Sequence, residues 1–143
     1  MDRFGFSLLP AATRAGLDTT TISRHVPLFR RDIARGDVTV LVAQCTAPNK
    51  LIPGDLVLLL TRKRMVVTRR TRLLDRARPH LSAALRDLSD VAWQPRRRLG
   101  VIDLTFALEE RPHHLWVRSP YSGELEALIE VFHRVLPMRL RAC

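Results

Sequence analysis

Long apolar runs are what this sequence most lacks. The longest uninterrupted aliphatic stretch runs from Leu56 to Leu60, whereas a membrane-spanning helix takes about 20 apolar residues. No span is expected. The opening MDRFGFSLLPAATRAG carries Asp2 and has its apolar stretch cut short by Pro10, which argues against a secretory leader. Cysteine is equally scarce. Cys45 and Cys143 form neither a C-x-x-C nor a metal-ligand spacing, which points to a reducing compartment and an incidental role. Aromatic residues make up only 6% of the chain, too few to supply the exposed stacking platforms that single-stranded nucleic acids use. Specific nucleic-acid recognition is not expected.

Catalytic signatures are missing as well. There is no nucleophile elbow, no H-E-x-x-H, no phosphate loop and no dinucleotide fingerprint. His25, His80 and His133 are scattered, and His113 and His114 are neighbours at a strand start, where adjacent side chains point to opposite faces and cannot readily share one ion. The expectation is a protein that is not an enzyme and takes no cofactor, metal or small-molecule substrate.

What the sequence does contain is charge. It has 24 Lys and Arg against 14 Asp and Glu, a formal net charge of +10, which favours acidic partners such as anionic lipid or nucleic acid. Lys50 and Lys63 are the only lysines, so the planar, bidentate guanidinium dominates wherever phosphate or carboxylate is met. The arginine bias of a GC-rich genome is the competing cause. A chain of 143 residues fits one domain and can bury roughly two thirds of its unfolded surface without disulfide or metal.

Periodicity then divides the chain. Residues 1–26 show no sustained pattern and read as a loosely ordered lead-in. In PLFRRDIARGD, Leu28, Phe29 and Ile33 share a face, Pro27 suits a first turn and Gly36 suits a C-terminal cap, which predicts a short helix against the main body. Asp37 to Gln44 reads as a strand, and TAPNKLIPG as a loop. In DLVLLLTRKRMVVTRR, Asp55 to Arg70, two β-rich runs flank a tight charged connection, the mark of a hairpin. TRLLDRARPH reads as a polar connection. Leu81 to Gln94 reads as one bent strand or two short ones, and LGVIDLTFAL and HHLWVRS as two more around a turn at Glu109 to Pro112. Leu125, Leu128, Ile129, Phe132, Val135 and Leu136 fall at helical spacing, with Ser119 or Ser122 as N-cap and Pro137 as the stop. The count is about seven strands and one closing helix, a mainly β α+β fold. The expected division is a lead-in with short helix over 1–36, a domain over 37–137 and a basic tail over 138–143.

Gly54-Asp55, Leu58 to Thr61, Arg64, Val66 to Thr68, the stretch from Leu85 to Trp93 and the closing helix together resemble the bacterial pleckstrin-homology-like (PH-like) family. The likeness covers about Asp37 to Leu136 and rests on strand texture. It implies two nearly orthogonal antiparallel sheets curled into a partly open barrel, with the amphipathic helix plugging one end. Because this fold hosts lipid binders, peptide binders and self-assembling modules, it does not name an activity.

The densest basic cluster is Arg62, Lys63 and Arg64, with Arg69, Arg70 and Arg72 behind it. Such residues can grip phosphate or an anionic headgroup; a solvated hairpin face is the plainer alternative. Lipid-binding relatives of the family pair a loop lysine with alternating basic residues at the start of the second strand. Lys50, Arg62 and Arg64 fit that string, but LVLLL intervenes, which would set loop and hairpin roughly 15 to 20 Å apart. The second run, Arg96 to Arg98, follows Pro95 and reads as exposed charge between strands. Trp93 and Trp116 are expected in the core. The leading expectation is a non-catalytic interaction module that contacts a protein partner or copies of itself. The alternative is peripheral attachment to anionic phospholipid through the basic hairpin. The expected location is cytoplasmic, including the inner face of the membrane.

Overall fold

Val57 and Leu59 alternate with Leu56, Leu58 and Leu60 along a single strand, and all five are buried. An unbroken aliphatic run of this kind means a strand covered on both faces, and this relation organises the fold. The computed structural model describes residues 26–31, 33, 36–48, 55–71, 76–118 and 125–136, with backbone alone at 55, 70, 71 and 76–78. The lead-in before residue 26, the tail after residue 136 and the expected N-caps Ser119 and Ser122 lie outside the described residues.

Among the described residues seven strands follow a short helix α1 over 26–31. They are β1 (Thr39–Thr46), β2 (Asp55–Thr61), β3 (Arg64–Thr71), β4 (Arg76–Ala84), β5 (Ser89–Arg96), β6 (Val101–Leu108) and β7 (Arg111–Arg118), closed by helix α2 (Leu125–Val135). The ladder order is β4-β3-β2-β1-β7-β6-β5, and every neighbouring pair is antiparallel. β1 joins the two halves. It pairs along its length with β2 but meets β7 only through Cys45 opposite Val117 and Thr46 opposite Trp116.

The inner face carries the main core, including Leu58, Leu60, Met65, Val67, Trp93, Ile102, Leu104, Phe106 and Val117. α2 completes it with Leu125, Leu128 and Phe132. Trp93 locks the helix in place. Its ring lies 5.6 Å from Phe132 and edge-on to His133 at 4.7 Å, and its indole N–H donates to the Leu136 carbonyl at 2.7 Å. A second cluster forms on the outer face of β1, β2 and β3, where Phe29 and Ile33 cover Val42, Val57, Leu59 and Val66. Full burial of each such side chain is worth about 1.5–3 kcal/mol. The short helix expected from Pro27 is thus packed on the sheet, but Ile33 lies in a bend beyond it and Gly36, which has no positive φ, does not form the expected C-terminal cap.

The structure corrects the sequence reading in two further places and decides it in a third. Arg76 to His80 belongs to β4 rather than to a polar connection. Of the two arrangements expected from Leu81 to Gln94, the chain takes the two strands, broken by the 3-10 turn Leu85–Asp87. Trp116 does not fill the core: it is half-buried and falls outside the inner cluster, whereas Trp93 is within it. Both ends of the sheet carry a proline, Pro79 in β4 and Pro95 in β5. An edge is where a strand tolerates the lost N–H.

Candidate functional site

The tip of the β2–β3 hairpin is built by a threonine and an aspartate. Thr61 and Asp37 are both buried, and the Thr61 hydroxyl donates to the Asp37 carboxylate. The same hydroxyl oxygen accepts from the backbone N–H of Lys63 at 3.2 Å and of Arg64 at 2.9 Å. Asp37 also accepts from the Val38 N–H at 2.9 Å. Neither Arg62 nor Lys63 adopts a positive φ, so side-chain bonds to the backbone shape this turn in place of the left-handed residues usual in two-residue hairpins. The Leu85 N–H donates to the Lys63 carbonyl at 2.8 Å, which ties the tip to the turn after β4. Arg62 and Lys63 project into solvent from a fixed platform.

The remaining residues expected at an anion site do not converge there. Arg64 is half-buried and donates to the Ser82 hydroxyl at 3.1 Å, so part of its guanidinium is engaged by the neighbouring strand. Arg69 is exposed but pairs with Leu56 near the other end of β3, about 16 Å from Arg64 at the usual strand rise. Arg70 pairs with Asp55 through the backbone, and its side chain lies outside the described residues, as do Lys50 and Arg72. The second run is partly neutralised. Arg96 pairs with Asp103 at 3.1 Å and Arg97 with Glu126, while Arg98 is exposed. β3 and β5 stand five positions apart in the strand order, so the sheet does not join Arg69 to Arg96 along its ladder.

A second feature was not legible in the sequence. Beyond Thr46, β1 and β7 part, and Arg111 to Leu115 have no ladder partner on the β1 side among the described residues. There a cleft of about 280 Å³ opens, with Ala47, Leu81, Phe106, Pro112 and Leu115 as apolar lining and His80, His113 and His114 around it. His113 stacks on Phe106, with ring centres 5.2 Å apart. On the β4 side His80 is a bulged residue, since Val67 faces Leu81 and Thr68 faces Pro79. A bulge at an edge re-aims side chains locally.

His113 and His114 take opposite faces, as a strand requires. His114 pairs with Asp103, which is only 8% exposed and is also held by Arg96. Three strands thus contribute one hydrogen-bonded network on the outer face. Nothing in the spacing of Arg96, Asp103 and His114 reveals it, because ladder register alone brings them together. Cys45 is fully buried, and burial pushes its thiol far above the ordinary value of 9.0. Among the described residues no group of three or more His, Cys, Asp or Glu side chains could hold a metal ion, and no helix is long and apolar enough to cross a membrane.

Seven antiparallel strands with one C-terminal helix define a PH-like fold. No family model matches the chain, and no curated protein matches it. Among solved structures, the DH/PH domains of p115-RhoGEF, in a mutant form, superpose with a TM-score of 0.53 at 12% identity, covering 94% of this chain and 41% of that one. The chain therefore spans less than half the length of that neighbour. The likeness is one of fold.

Proposed function

We propose that the protein is a non-catalytic interaction module that docks a segment of a protein partner at the cleft between β4 and β7. The observation that carries this reading is the first half of β7, which among the described residues has no ladder partner on its β1 side, beside an apolar lining. A row of backbone groups next to side-chain pockets is the arrangement by which an extended peptide adds to a sheet. At about 280 Å³ the cleft falls below the size usual for drug-sized ligands. It suits one or two apolar side chains of a peptide. Proline removes a donor from all three rows, Pro112 in β7 as well as Pro79 in β4 and Pro95 in β5, so the apolar lining is what distinguishes the β7 side.

Selection from a random displayed-peptide library tests the proposal. Wild-type protein is expected to enrich short β-prone sequences with apolar anchors, and Leu81→Arg to lose them. Failure to enrich any sequence, or equal enrichment by both proteins, would contradict it. Self-association by the same surface would appear as concentration-dependent sedimentation that Leu81→Arg abolishes.

A second reading, attachment to an anionic bilayer, is favoured by the exposure of Arg62 and Lys63 on a rigid tip. At about 1 kcal/mol per basic residue near an anionic surface, this contact would be weak and sensitive to salt. Replacing Arg62, Lys63 and Arg64 by Ser should abolish co-sedimentation with anionic vesicles; undiminished binding would clear the hairpin of the role.

A further inference from the structure

Leu99 is 56% exposed, the one large hydrophobic side chain so placed among the described residues. It sits in the turn over 97–100 that joins β5 to β6. This turn is ordered by its own backbone: the Leu99 N–H donates to the Arg96 carbonyl at 3.1 Å, the Gly100 N–H donates to the Arg97 carbonyl at 3.3 Å, and Gly100 takes a φ of +65°. A left-handed glycine closes such a turn without steric cost. Leu99 is therefore held outward by a defined backbone.

Charge around this leucine is basic. Arg96 and Arg97 are balanced by Asp103 and Glu126. Arg98 is exposed, and so is Arg118, which lies directly across the ladder from Val101 at the base of the turn. The exposed carboxylate of Glu130 lies one turn further along α2 than Glu126. From Glu126 the helix runs towards Trp93, which meets Phe132, His133 and Leu136, so Glu130 is carried away from the turn. An apolar apex next to the exposed Arg98, with the exposed Arg118 at the base of the turn, matches one environment best, the interface of a bilayer that contains anionic lipid. Apolar side chains gain there by leaving water, and arginines gain from the negative surface potential. Nucleic acid would use the arginines but leave the leucine idle.

We propose that the β5–β6 turn is a membrane-contact element, in which Leu99 enters the interface of an anionic bilayer while Arg98 and Arg118 lie against its headgroups. The proposal shares the bilayer with the second reading above but none of its residues.

Co-sedimentation of the full chain with phosphatidylcholine vesicles, with and without phosphatidylserine, tests it at physiological salt. Wild type should bind only the phosphatidylserine vesicles. Because Leu99 is exposed, Leu99→Ser should fold normally and bind about tenfold or more weakly, the loss expected for an apolar side chain no longer buried. Leu99→Trp should keep binding and shift its emission to the blue on vesicles. If Leu99→Ser binds as wild type does, the inference fails even where the Arg62, Lys63 and Arg64 triple variant shows that the hairpin binds. If wild type binds no vesicles, both ideas fail. Comparable binding to single-stranded RNA, lost in Arg98→Ser and untouched in Leu99→Ser, would make the turn a polyanion contact and overturn the proposal.

Discussion

Thr61 donates its hydroxyl proton to the buried carboxylate of Asp37, joining the start of β1 to the tip of the β2–β3 hairpin. The same oxygen receives the Lys63 and Arg64 backbone N–H groups, so one side chain satisfies three partners. Thr61→Val keeps the shape and removes all three bonds. It should cost about 1–3 kcal/mol, the penalty for buried polar groups left without partners, seen as a lower urea midpoint with an unchanged slope.

The β6–β7 hairpin solves the same geometric problem differently. Glu109 and Glu110 both adopt left-handed backbone, with φ of 51° and 66°, as a type I′ turn demands. Asn-Gly is the pair best suited to that conformation. Replacing Glu109 by Asn and Glu110 by Gly should stabilise the protein by about 1 kcal/mol, measured by denaturant titration.

Pro79 and Pro95 sit in the two strands that end the sheet. Each removes a donor from an edge that could otherwise template another strand. The double variant Pro79→Val, Pro95→Val should fold and associate more readily than wild type. Light scattering at rising concentration would show this as growing particle mass.

Cys45 links burial to pH. Its thiol is held protonated by desolvation, well above its ordinary value of 9.0, whereas in the unfolded chain it ionises near that value. Below pH 9 the group contributes no pH dependence. Above it the unfolded state releases a proton that the folded state keeps, so stability falls as pH rises. Wild type should lose stability between neutral and alkaline pH more steeply than Cys45→Ala, compared by denaturant midpoints. In a Cys143→Ser background, maleimide should label Cys45 only on unfolding.

The legible parts of the fold were those with one dominant period. Leu125, Leu128 and Phe132 announce α2 by their spacing, and the turn residues Arg62 and Lys63 stand between two unmistakable apolar runs. Phe29 and Ile33 announced an apolar face seeking a surface, and Val57 and Leu59 provide it, although only Phe29 lies within the helix. β4 escaped notice because an edge strand need not look like one: Arg76, Arg78 and Pro79 suit an edge and obscure a strand pattern. Trp116 misled because alternation gives the period but not which face is inside. The basic cluster was legible as composition only. The hairpin sends Arg62 and Arg69 to different ends of the same pair of strands, and strand length, not motif, decides this. The cleft beside β7 was invisible, since it exists where β1 and β7 cease to pair.

Mapping a selected peptide onto the protein by amide chemical shifts tests the central claim most directly. Docking at the cleft predicts the largest changes at Leu81, Phe106, His113 and Leu115, with the Arg62–Lys63 tip unmoved. Changes centred on the hairpin tip, or confined to the outer face around Asp103 and Trp116, would contradict it.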